Sequence, residues 1–237
     1  MFKLSKRLTV LSQMVTEGHV LADVGTDHGY LPIFLVKQGK IPNAIAMDIR
    51  QGPLLRAREH IDAYGLGGYI QTRLSDGVAS LHEGEADTIL IAGMGGSLML
   101  HILTEGKNVI ESAEELILQP QSETEKVREY LCRMGYEVTE ENMVSEDGKF
   151  YQMSSCKPWR GREGIVTAVD PVFCRYGEML LGKRHPVLKE YLFFRKKQYE
   201  DILENLDKQQ KNAAIRERKE QIGLELAYLE QALTYWR

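Results

Sequence analysis

Long apolar runs are missing from this chain: none approaches the ~18 residues that a membrane-spanning helix needs. The opening segment, MFKLSKRLTVLSQM, is too polar and too periodic for a secretory signal, so a cytoplasmic location is expected. Cysteine is scarce. Cys132, Cys156 and Cys174 are odd in number and lack C-x-x-C spacing, which argues against a disulfide framework and a zinc site and leaves buried or incidental thiols. Internal repeats and low-complexity tracts are absent too. What remains is a globular composition of 237 residues, 43% hydrophobic, enough for one large domain or a medium domain with an appendage.

A strong net charge is lacking only on average. The overall −4 argues mildly against a nucleic-acid partner. Between Lys183 and Lys219, however, eleven Lys or Arg face six Asp or Glu, so that segment carries +5 and the remainder −9. Phosphate contact is local, since charge is screened beyond ~8 to 10 Å, and one basic segment is enough to seat an RNA. A solvated helix of mixed charge is the plainer alternative.

Strand and helix signals alternate over the first two thirds. Leu4, Leu8, Leu11 and Val15 recur at helical spacing. Strands are expected at about 20–24, 44–48, 69–74, 88–92 and 116–118, with helices at 31–37, 53–64, 97–103 and 124–134 between most of them. This order predicts an α/β fold with a doubly wound, mostly parallel sheet. Segments 136–144 and 150–157 read as a hairpin turning at Glu146-Asp147-Gly148. Around Pro158 to Pro171 the periodicity breaks, placing a boundary between a domain of residues 1–157 and one of 158–237. In the latter, two seams at 4-and-3 spacing, Leu188, Leu192, Arg195, Tyr199, Ile202, Leu206 and Ile215, Lys219, Ile222, Leu226, Leu229, Leu233, Trp236, predict a coiled-coil-like helical hairpin. Each seam carries one cation, Arg195 and Lys219, which leaves positive charge near the hairpin surface.

The segment VLADVGTDHGYLP carries the most chemistry. An apolar strand runs into Gly25, which can take a positive φ and bare its backbone, and Gly29 is expected to let the next helix pack close to the strand. A second strand ends on Asp48, 23 residues past Gly25, where a carboxylate can accept from both hydroxyls of a ribose. The G-x-G-x-x-G pattern of dinucleotide sites is absent, and Asp27 puts negative charge where a pyrophosphate would lie. That disfavours NAD and FAD and suits a cationic adenosine ligand, S-adenosylmethionine (SAM). Its binding set would comprise Asp23, Gly25, His28, Gly29, Asp48, Ile49, Ser75, Asp76, Gly77, Ala92, Gly93 and Met94, drawn from the carboxyl ends of four strands. Asp76 either accepts from the adenine amine or is a turn aspartate before glycine. The glycines of Gly93-Met94-Gly95-Gly96 either form a tight turn or bare the backbone beside cofactor and substrate, their position favouring the second.

DVGTDHGYLP, the Asp48 strand end, SDG, ADTILIAGMGG, LILQP and EDGKFYQM resemble the bacterial tRNA adenine-N1 methyltransferases of the TrmK family, which modify position 22. The resemblance covers about Leu4 to Met153 closely, and IAGMGG stands where many amino-group methyltransferases carry an Asn-Pro-Pro-Tyr type motif. It implies a Rossmann-like class I SAM-dependent methyltransferase sheet, a SAM cofactor and a tRNA partner. Adenine N1 needs no general base and no metal. It does need extrusion of the base, an aromatic ring and nearby negative charge. Tyr30 and Asp27 are the catalytic candidates. Arg7, Gly95, Gly96, Gln119, Lys196 and Lys197 are candidates for contact with the substrate. His28 and Asp27 could each serve the methionine moiety or the target base. Rival readings are methylation of a small molecule or protein, and a noncatalytic protein binding SAM or RNA. A monomer is expected, with a dimer through the C-terminal helices as the alternative.

Overall fold

The computed structural model describes residues 3–158, 169–208 and 212–237. The chain divides into two units, Met1–Thr167 and Ala168–Arg237. The first unit runs α1 (Lys6–Met14), β1 (Leu21–Val24), α2 (Tyr30–Lys37), β2 (Ala44–Asp48), α3 (Gln51–Ala63), β3 (Ile70–Leu74), β4 (Thr88–Gly95), α4 (Gly96–Glu105), α5 (Lys107–Ser112), β5 (Glu115–Ser122), α6 (Thr124–Arg133), β6 (Glu137–Glu146) and β7 (Lys149–Lys157). The strands form one sheet in the order β3-β2-β1-β4-β5-β7-β6. Its first five members are parallel, and β7 and β6 close the edge antiparallel.

Helices cover both sheet faces, so the central strands are buried from end to end. The period of two sorts their side chains. Ala22, Val24, Met47, Ile89, Ile91 and Leu118 join one core with Met99, Leu103 and Leu131 of α4 and α6. Leu21, Ala46, Leu90 and Ile117 join the other with Leu11, Leu31, Leu35 and Ile61 of α1, α2 and α3. Strands β4 and β5 run beyond their expected ends, to Gly95 and Ser122. Pro120 lies past the last residue that β5 pairs with β7, where a missing N–H is tolerated. The β6–β7 turn is made by Asp147 and Gly148, both at positive φ (51° and 73°), as a two-residue hairpin requires. Glu146, beside that turn, accepts from the backbone N–H of Lys6 (2.6 Å) and Arg7 (3.3 Å) and so pins the start of α1 to the sheet edge. Among the described residues no helix is long and apolar enough to cross a membrane.

The second unit contains α7 (Pro171–Tyr176), α8 (Glu178–Gly182), α9 (Pro186–Asp207) and α10 (Ala213–Leu233). Lys219 pairs with Asp207 at one end of the two long helices and Lys196 with Glu230 (3.5 Å) at the other, so they run antiparallel. Leu188, Leu192 and Tyr199 are buried on α9, and Ile222, Leu229 and Ala232 on α10. The seam cations, expected to leave positive charge near the hairpin surface, each have a partner. Arg195 donates to the Tyr199 hydroxyl (2.5 Å) and lies over its ring, and Lys219 is held by Asp207. The expected boundary falls largely on residues 159–168, outside the described residues; of the polar run 207–212 expected to separate the helices, Asp207 ends α9, Asn212 caps α10, and 209–211 lie outside the described residues.

The junction of β4 and α4 is tight. A Cβ on Gly96 would lie 2.6 Å from the Ser122 carbonyl oxygen and 2.8 Å from the Glu123 Cβ. Glu123, at φ 52°, anchors the same junction by accepting from Ser97 N (3.0 Å) and Ser97 Oγ (2.5 Å). Gly96→Ala is therefore expected to lower stability by about 1–3 kcal/mol, read as the urea midpoint; an unchanged midpoint would contradict the close approach.

Candidate functional site

Because β2 and β3 lie on one side of β1 and β4 on the other, a crevice opens above the carboxyl ends of β1 and β4. A cavity of about 550 Å³ occupies it. Gly25 ends β1 at φ 80°, and its N–H and that of Thr26 both donate to the Met47 carbonyl (2.8 and 2.9 Å), tying the turn to β2. Asp27 follows in the left-handed region, φ 50°, with an exposed carboxylate 3.6 Å from His28 Nε2 and 3.7 Å from Arg56 Nη2. Asp48 closes β2, buried, accepting from Arg50 N (2.8 Å). Ser75, Asp76 and Gly77 form the third wall, and Ala92, Gly93 and Met94 the fourth. Ile49 and Leu98, both half exposed, face the same space as Ile102, giving apolar surfaces beside the carboxylates.

Arg7 lines this cavity and a smaller one beside it, which Asp23, Thr26, Asp27, His28, Tyr30 and Leu31 also line. Its guanidinium donates to Gln119 Oε1 (2.9 Å) and lies 5.6 Å from the Tyr151 ring centroid. The helix end fixed by Glu146 thus delivers a cation to the wall between the two spaces. Asp23 is on the face of β1 turned toward α1 and α2, an apolar setting. Burial pushes its carboxyl from 3.8 up to about 6, against the lowering effects of the Thr26 hydroxyl (2.6 Å) and Arg7.

Several expected contacts are placed elsewhere. Gly29 lies opposite Ala57 of α3, where an added Cβ would meet the Ala57 Cβ at 3.4 Å, an ordinary contact, so it is the left-handed backbone (φ 69°) that calls for glycine here; it does not line the cavity. The glycine run divides. Gly93, at φ 77°, bares its backbone near Arg7 and Gln121, whereas Gly95 and Gly96 back onto Ser122 and Glu123 and do not line the cavity. Gln119 is fully buried holding Arg7, and Gln121 lines the cavity in its place. The Ser75 hydroxyl is consumed within its own turn, donating to Gly77 O (2.9 Å) and accepting from Ser80 N (3.1 Å). In the second unit Lys196 is paired with Glu200 and Glu230, while Lys197 is exposed. Arg50, Leu98 and Ile102 line the cavity without having been singled out from sequence, whereas Gln121 belongs to the Gln119-Pro120-Gln121 run expected after the fifth strand. Leu98 and Ile102 could have been found as an i, i+4 pair one turn into α4.

A parallel sheet with an acidic strand end at β2, a bare glycine turn after β1 and an antiparallel closing hairpin defines a methyltransferase domain, and the sequence profile of the methyltransferase domain family matches residues 4–154. The tRNA (adenine(22)-N(1))-methyltransferase of Bacillus subtilis is 43% identical over 151 residues, 64% of this chain. That match spans 63% of the relative's length. The crystal structure of the B. subtilis M1A22 tRNA methyltransferase TrmK superimposes with a TM-score of 0.85 at 30% identity, covering 98% of this chain and all of that one. Streptococcus pneumoniae Sp1610 in complex with S-adenosyl-L-methionine gives a TM-score of 0.81 at 31% identity over 98% of this chain and all of that one. The chain belongs to the TrmK family of tRNA (adenine(22)-N1)-methyltransferases.

Asp23 provides a test of the site's electrostatics. Since folding raises its pKa, its favourable contribution is complete below about pH 3.8 and is lost as the pH rises through about 6. Above that, the charged group costs on the order of 3 kcal/mol. Asp23→Asn, which keeps an acceptor for Thr26, should raise the melting temperature of the ligand-free protein at pH 7.5 and change it little at pH 4. An equal effect at both pH values would contradict the buried, raised carboxyl.

Proposed function

We propose that the chain is a SAM-dependent methyltransferase that methylates N1 of adenine at position 22 of tRNA. The observation that carries this reading is the conjunction of the bare, left-handed Gly25 turn with buried Asp48 one strand away, on a cavity that apolar Ile49, Leu98 and Ile102 and the carboxylates of Asp27 and Asp76 also line. These residues fit the cofactor. Asp48 accepts from ribose hydroxyls, Ile49, Leu98 and Ile102 flank a flat ring, and Asp76 stands where an adenine amine can donate. Asp23, Asp27 and Gly25 leave the other end of the cavity suited to positive charge and unsuited to pyrophosphate.

When bound, SAM supplies a methyl group on sulfonium; the adenine N1 lone pair forms the new bond to carbon, and the electron pair of the breaking S–C bond stays on sulfur. The protein has no proton to remove from N1, so its work is placement. Tyr30, exposed at the head of α2, offers a face to the extruded base, and His28 stands beside it. Asp27 stabilises the cationic methylated ring until its N6 proton passes to water. Arg7, held by Gln119 and by the capped start of α1, supplies positive charge to the carboxylate of the methionine moiety or to a phosphate beside the target. The helical unit, from about residue 158, grips tRNA through its basic segment, with Lys197 outward. We further propose that the protein acts in the cytoplasm as a monomer.

Incubation with methyl-labelled SAM and unmodified bacterial tRNA, followed by digestion and mass spectrometry, should place the label in 1-methyladenosine. Label in another nucleoside, or none, would contradict the assignment. Asp48→Ala should weaken SAM binding at least tenfold without lowering tRNA affinity, and Lys197→Glu should do the reverse, with the tRNA affinity of the wild type falling steeply with salt.

A further inference from the structure

One helix, α3, reaches the candidate catalytic residues with two side chains a turn apart. Arg56 and His60 lie on either side of Ala57, which packs on Gly29. Arg56 approaches Asp27 (3.7 Å), and His60 Nδ1 lies 3.0 Å from the His28 carbonyl oxygen. The His60 ring also stacks on both neighbours: its centroid is 5.2 Å from that of Tyr30 and 5.6 Å from that of His28, with planes within 17° and 25°. His28 and Tyr30 are themselves 5.2 Å apart and within 15° of parallel. Three rings, from the loop before α2, from α2 and from α3, therefore share nearly one orientation, and two of them, His28 and Tyr30, line the smaller cavity. His28 Nδ1 is buried without a hydrogen-bond partner. The ring is thus oriented by stacking, with its Nε2 side toward Asp27.

We propose that His60 is a positioning residue: it backs Tyr30 and His28 so that the three rings form an aligned shelf on which an unpaired purine base stacks. Aromatic side chains bind unstacked bases by their faces, and such binding is strongest when the ring plane is fixed before the base arrives. A lone tyrosine at a helix start can turn about χ1. Flanked by two near-parallel rings, it loses that freedom in advance, and the ordering cost no longer falls on binding. The shelf is held at both ends. His60 reaches the loop backbone with Nδ1 3.0 Å from the His28 carbonyl oxygen, and Arg56 restrains Asp27 beside the rings. The proposal rests on the reading of Tyr30 as the base-facing aromatic, and it adds α3, through His60, as the element that fixes that ring.

Two substitutions separate the ring from its hydrogen bond. His60→Asn keeps a donor for the His28 carbonyl and removes the ring; His60→Phe keeps the ring and removes the donor. In methyl transfer to tRNA, His60→Asn is expected to lower kcat at least tenfold with KM for SAM unchanged, and His60→Phe to recover most of the loss. A second measurement does not depend on turnover. An RNA hairpin with 2-aminopurine at an unpaired loop position should show quenched fluorescence when the full-length protein binds, with the quench lost in His60→Asn and retained in His60→Phe. Quenching of this pattern without methylation of tRNA would sink the proposed reaction and leave the shelf standing. No quench in the wild type, equal behaviour of the two variants, or loss in His60→Phe with retention in His60→Asn would overturn the shelf.

Discussion

The arrangement of the site depends on the left-handed turn at Gly25. At φ 80° the chain leaves β1 without a Cβ, which would stand against the tip of the Met94 side chain, and turns at once toward α2. Two N–H groups of the turn are spent on the Met47 carbonyl of the neighbouring strand. The same bonds that end β1 therefore fix its distance from Asp48 one residue further along β2. Thr26, buried in the turn, ties it back to Asp23, and the left-handed Asp27 then presents its carboxylate outward. A side chain at position 25 would meet backbone strain, and the flexible Met94 side chain would have to move aside.

Charge gives this geometry its direction. Three carboxylates, Asp23, Asp27 and Asp48, surround the ends of two adjacent strands, one of them buried deeply enough to titrate near 6. An apolar sheet face does not hold such a group for stability. The Thr26 hydroxyl and Arg7 offset part of the cost that burial imposes, in a setting made apolar by fully buried Leu21 of the same strand and Leu90 of adjacent β4. Arg7 is the opposing cation, delivered by a helix whose first turn is held by a carboxylate from the far edge of the sheet. The pattern favours a ligand carrying positive charge near an adenosine, and places the cost of assembling the site on the fold instead of on binding.

Features set by local period and by strand ends were legible in the sequence. The apolar runs gave the parallel strands, the spacing from Gly25 to Asp48 gave the cavity's two principal walls, and Asp147-Gly148 gave the hairpin. Contacts between elements distant in sequence were not legible. Gly96 reads as one of three similar glycines until Ser122 and Glu123 are brought against it. Gln119 and Gln121 lie two apart on one strand, and only the reach of Arg7 from α1 decides which is buried and which meets the cavity. Arg56 and His60 look like solvated residues of an amphipathic helix, because nothing in the order of residues says that α3 lies over the Asp27 loop. Lys196 likewise reads as a free cation until the return of α10 supplies Glu230.

The central claim is that the Gly25 turn and its carboxylates select a cationic adenosine ligand over a dinucleotide. Titration calorimetry of the purified, ligand-free chain with SAM and separately with NAD tests it most directly. Saturable one-to-one binding of SAM, with NAD at least a hundredfold weaker, is the predicted result. Comparable affinities, or tighter binding of NAD, would contradict the account.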